Sequence, residues 1–115
     1  GVSAADYLDM LARRAEAIAA MDARLSTVDA LVMPTVATLP PRFDAIATAD
    51  TFLAANMLAL RNTVLANFFD LCAITLPIPG QTLPVGLMLV GRRGADTALF
   101  ALAEAIETHL ASASI

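Results

Sequence analysis

The chain of 115 residues is acidic, with a formal net charge of −4 and a pI of about 4.6, so it lacks the basic footprint that nucleic-acid binding requires. It is also strongly apolar: 58% of its residues are hydrophobic and 16% are charged, with a mean hydropathy of +0.71, against roughly 25% charged residues in an ordinary soluble domain. Such a chain either lies in lipid or is largely packed inside something bigger, and the residue order excludes the first. The uncharged run from Leu71 to Gly91 contains Pro77, Pro79, Gly80, Pro84 and Gly86, so no continuous helix can carry it across a bilayer. The apolar stretch from Thr51 to Leu60 is too short for that role.

Residues 1–115 read as one unit. The first residues have neither a basic start nor an apolar block, so no secretory leader is expected. Without an initiating Met, Gly1 is expected not to be the natural start. The single Cys72 cannot form an internal disulfide, which fits a reducing, cytoplasmic location.

From Ala4 to Leu25, apolar side chains recur every three or four residues at Ala4, Leu8, Leu11, Ala15, Ile18 and Leu25, one stripe of a helix. Ser3 is its expected N-cap, and Asp9 with Arg13 forms a pair one turn apart. Asp29–Pro34 reads as a short buried strand that a proline ends. Thr35 to Ala47, with Pro40 and Pro41, is an irregular surface loop.

Asp50 is expected to cap a second helix that runs through Phe52, Leu53, Met57 and Leu60, followed by a short helical segment over Thr63 to Phe69. Cys72–Leu76 and Val85–Val90 are the next strands, joined by a Pro- and Gly-rich turn. Both are apolar on both faces, which predicts burial on both sides within a sheet covered by helices. A last helix runs from Asp96, its expected cap, to about Leu110, with Leu99, Leu102, Ala103, Ile106 and Leu110 on one face. Ala111–Ile115 reads as a frayed tail.

The chain contains no lysine, so no lysine-dependent chemistry resides in these residues. His109 in the last helical turn suits the helix dipole. Pairing it with Ser112 or with Cys72 would give a nucleophile and base, but a terminal tail and an apolar strand are poor settings for either. Asp6 with Asp9 and Glu104 with Glu107 read as solvated helix faces; with one His and one Cys, no metal set assembles and no cofactor is expected. Gly91-Arg92-Arg93-Gly94 has the form of the GxxG loop with which KH modules clamp RNA, yet it follows a strand instead of joining two helices. It reads instead as a strand-to-helix turn in which Gly supplies an unusual backbone conformation. A phosphate at the start of the last helix would be repelled by Asp96. Thr63 and Asn67 stand four apart on one helical face.

Taken together, Ala4-Ala5-Asp6-Tyr7 with Arg13-Arg14, "DALVMPT" at Asp29–Thr35, "NTVLAN" at Asn62–Asn67, Leu71–Pro79 and "LPVGLMLVG" at Leu83–Gly91, followed by an acid-led helix, resemble the C-terminal part of the amidase signature family. The resemblance implies an α/β fold in which a mixed sheet is sandwiched by helices. It implies an activity that hydrolyses or transfers amide groups through a Ser, cis-Ser, Lys triad lying upstream of the matched portion. This chain would then hold no catalytic residue and would supply scaffold and pocket wall, with the rest of the amidase chain as partner and a small-molecule amide as substrate. By the same resemblance Thr63, Leu65 and Ala66 are the candidate substrate-binding residues. Where the family often has Gly and Pro, Asp70 and Cys72 stand. The competing expectation is a non-catalytic α/β module that pairs through an exposed apolar sheet, with a partner or as a homo-oligomer.

Overall fold

The computed structural model describes residues 1–112. Helix α1 spans Ala4–Leu25 and opens with a capping box, in which Ser3 accepts from the Asp6 N–H and Asp6 accepts from the Ser3 N–H. The bond from the Ser3 hydroxyl, followed by that from its backbone N–H, holds the Asp6 carboxyl below the usual carboxylate range. Strand β1 is Leu31–Pro34, a 3₁₀ turn follows at Phe43–Ile46, and α2 (Ala49–Leu60) and α3 (Thr63–Phe68) lead to β2 (Cys72–Pro77), β3 (Gly86–Gly91) and α4 (Asp96–Ser112).

The three strands form one antiparallel sheet in the order β1-β3-β2. Strands β2 and β3 are a hairpin, closed by the Ile78 N–H to Val85 carbonyl bond of 2.9 Å and turning through Gly80 at φ 76°. Since Leu87, Leu89 and Gly91 alternate with Met88 and Val90 along β3, the register brings Leu76 opposite Leu87 and Ile74 opposite Leu89 on one face. Helix α4 covers that face, and Leu76, Leu89, Leu99 and Ala103 form the buried core, with Ala30, Cys72, Ile74, Leu87 and Ile106 packed around it.

Several expectations change in three dimensions. Strand β3 is buried along Met88–Gly91, but β2 alternates, with Ala73, Thr75 and Pro77 exposed. Burial on both sides therefore holds for the central strand only, because β1 and β2 are the edges of a three-stranded sheet with α4 packed on β2 and β3 alone among the helices that pack closely on it. Strand β1 begins at Leu31, not Asp29, and Val32 is 59% exposed. The cap of α2 is Thr48, in a capping box with Thr51, and Asp50 lies inside the first turn. In α4 the first helical bond runs from the Leu99 N–H to the Ala95 carbonyl, so Ala95 holds the cap position and Asp96 is the first helical residue. That helix continues to Ser112; the remainder of the expected tail lies outside the described residues.

The stripe along α1 is largely uncovered. Leu25 is buried and Ile18 half-buried, whereas Ala4, Leu8, Leu11 and Ala15 are exposed. The molecule is accordingly thin, 57 × 43 × 17 Å, with a radius of gyration of 17.5 Å, where a compact domain of this length has about 13 Å.

Candidate functional site: helix α3 and the turns around it

Helices α2 and α3 are separated by Arg61 and Asn62. The Asn62 Nδ2 donates to the Pro34 carbonyl at 2.7 Å, which ties the break between the helices to the end of β1. Thr63 opens α3 and turns its hydroxyl back to donate to the Leu60 carbonyl at 3.1 Å. Thr63, Leu65 and Ala66 are all half-buried on α3, whereas Asn67 is exposed. The Leu65 and Ala66 carbonyls accept from the N–H groups of Phe69 (3.1 Å) and Leu71 (2.9 Å) and close the helix.

An apolar-walled concavity of about 380 Å³ lies beside this segment and not on it. It is walled by Thr35–Pro41, by Ala59 of α2, and by Pro84, Val85 and Gly86. One of its lining residues, Thr35, donates its hydroxyl to that of Thr75 at 3.1 Å and its N–H to the Gly86 carbonyl at 2.9 Å. None of Thr63, Leu65 and Ala66 lines it. The reading of Thr35–Ala47 as a mere surface loop missed this groove. Its signal was Pro40-Pro41 after a strand that a proline ends, since such a segment holds a fixed course without ladder bonds.

The remaining candidates are accounted for locally. The Cys72 thiol donates to the Arg92 carbonyl at 3.0 Å, and the Ser112 hydroxyl donates to the backbone carbonyl of His109 at 2.8 Å. Asp9 is paired with Arg13 at 2.8 Å, and Asp6 serves its cap. No group of His, Cys, Asp or Glu among the described residues could hold a metal ion. Arg92 lies 3.4 Å from Asp22 of α1 and Arg93 lies 3.6 Å from Asp70. The basic pair thus faces carboxylates of its own chain, and Gly94 at φ 72° makes the turn, as the strand-to-helix reading expects. No helix among the described residues is long and apolar enough to cross a membrane.

Comparison with known proteins decides the family. Residues 2–100 match the sequence model of the amidase family. The chain belongs to that family. This amidase-family chain is 39% identical over 108 residues to a 2-amino-5-chloromuconic acid deaminase of Comamonas testosteroni, a match that covers 92% of the chain and 23% of the relative. It is 32% identical over 84 residues to a fatty acid amide hydrolase of Medicago truncatula, covering 70% of the chain and 14% of that enzyme. Among solved structures it superposes on a glutamyl-tRNA(Gln) amidotransferase chain from Thermotoga maritima with a TM-score of 0.73 and 30% identity, over 90% of this chain and 22% of that one. The chain thus spans less than a quarter of the length of each, and its α/β fold is that of the amidase signature proteins.

Proposed function

We propose that residues 1–115 act as one unit, the C-terminal segment of an amidase that hydrolyses carbon–nitrogen amide bonds. In this reading the segment supplies helices, three sheet strands and part of a pocket wall, to which Thr63, Leu65 and Ala66 contribute. An activated serine on another segment attacks the amide carbonyl, and the proton it gives up passes to the leaving amine through a lysine and a bridging serine. The absence of lysine from these residues agrees with that division of labour. The observation that carries the reading is the open stripe of α1, with Tyr7, Leu8, Met10 and Leu11 all exposed: an apolar face of this kind is made to be covered, here by the rest of the amidase chain. A small-molecule amide as substrate and a reducing, cytoplasmic setting for the free thiol of Cys72 go with it.

The isolated chain is expected to turn over no amide, while the intact polypeptide that carries it does. Turnover by the isolated chain that survives repurification and is lost on Cys72→Ala or His109→Ala would show a second catalytic apparatus and end this proposal. The other reading is a non-catalytic module that pairs with a second copy through its apolar sheet. It requires association that persists when the rest of the amidase is present.

A further inference from the structure

The turn from α3 to β2 holds a residue that its backbone does not favour. The Leu71 N–H donates to the Ala66 carbonyl at 2.9 Å and the Asp70 N–H to that of Asn67 at 3.4 Å. These are the paired bonds of a Schellman motif, whose left-handed position after the cap is usually glycine. Asp70 occupies it at φ 53°, and among the described residues no other non-glycine residue has a positive φ. Aspartate tolerates this conformation better than most side chains, yet at a cost that glycine does not incur. What its side chain gains is contact with two other elements. The Arg14 guanidinium of α1 bonds its Oδ1, and the Arg93 guanidinium of the β3–α4 turn lies 3.6 Å from its Oδ2. Arg14 also donates to the Asn67 carbonyl at 3.4 Å and stands 5.8 Å from the centre of the Phe68 ring. A lone surface ion pair contributes little; one carboxylate shared by arginines from two elements, one of which also grips the helix end, is a network.

We propose that Asp70 is a positioning residue: held between Arg14 and Arg93, its carboxylate fixes the C-terminal end of α3 against α1 and the β3–α4 turn, and so sets where the α3 wall stands. That α3 lines a substrate pocket rests on the function proposed above; the grip on α3 does not. Asparagine at position 70 keeps the tolerance for left-handed φ and removes the charge, so it separates the carboxylate from the turn.

In the intact polypeptide, Asp70→Asn should lower Tm by about 1 °C, and in an Arg14→Gln background, where only Arg93 still faces position 70, the same change should have a clearly smaller effect. Amide hydrogen exchange over Thr63–Phe68 should quicken while that of Gly86–Gly91 stays as it was, and KM for an amide should rise several-fold with kcat held. Equal effects of Asp70→Asn in both backgrounds, no effect in either, or exchange that quickens equally in α3 and β3 would overturn the grip. An unchanged KM in an active variant would overturn its role in the pocket wall. Should the unsubstituted polypeptide turn over no amide, the proposed function falls, and the Arg14 cycle with the exchange pattern still decides the grip.

Discussion

Gly86 marks the closest approach among the strands. A Cβ there would stand 2.5 Å from the Thr35 Oγ1 and 2.6 Å from the Thr75 Cγ2, the two side chains that hydrogen-bond each other over it. Gly86→Ala must therefore push apart threonines from two neighbouring segments, and overpacking of this sort costs about 1–3 kcal/mol. The unfolding free energy in urea should fall by that amount through a lower midpoint with the m-value unchanged, and Thr75→Ser, which removes the clashing methyl, should restore part of it. Gly94 differs, since a Cβ there meets nothing within 4 Å and its constraint is the backbone alone. Arg92 and Arg93 teach the same lesson from the opposite side. Their spacing suggested a ligand loop, while the acids that face them, Asp22 and Asp70, are far away in sequence and could not be paired with them by pattern.

At the scale of elements, helix existence was legible and strand environment was not. The three- and four-residue spacing located α1, α2 and α4, and Ser3 was correctly read as the cap of α1. For α2, acidic Asp50 has the look of a cap, but the cap is Thr48, whose hydroxyl accepts from the Thr51 N–H while the Thr51 hydroxyl accepts from the Thr48 N–H. A cap is defined by a reciprocal side-chain and backbone geometry three residues long, of which a single acidic residue is no proof. Thr48→Ala should cost about 1 kcal/mol of stability, and Asp50→Ala, inside the first turn, about 0.3–1 kcal/mol through the helix dipole, falling with added salt. Chemical denaturation at two salt concentrations separates the two. The strands show the limit: Cys72–Pro77 and Gly86–Gly91 look equally apolar, but only the second has a strand on either side.

The whole molecule is thin and open, and Phe43, Phe52, Met57 and Phe100 add to the apolar surface that α1 exposes. Exposed patches of this extent drive association. The isolated chain should bind a hydrophobic dye and scatter light as more than a monomer, and, on the proposed reading, both signals should diminish in a full-length polypeptide that carries it. A monodisperse chain that leaves the dye dark would show that this surface is already satisfied. Charge-bearing substitutions on the open stripe, such as Leu8→Glu with Leu11→Glu, should reduce association of the isolated chain while lowering the stability of the full-length polypeptide, because the same face cannot be both solvated and packed.

By itself the sequence determined the helices, the strand segments and the exclusion of a membrane helix, because periodicity and prolines are local or nearly local properties, and its ordered motifs carried the resemblance to the amidase family. It also placed Thr63, Leu65 and Ala66 together on one short helix. Only the tertiary structure decided which strand is central, which face α4 covers, which acids Arg92 and Arg93 meet, and that Asp70 closes α3 in a conformation glycine usually takes. The contacts of Arg92 with Cys72 and Asp22, for example, join residues 20 and 70 positions apart, a separation over which side-chain pattern carries no register.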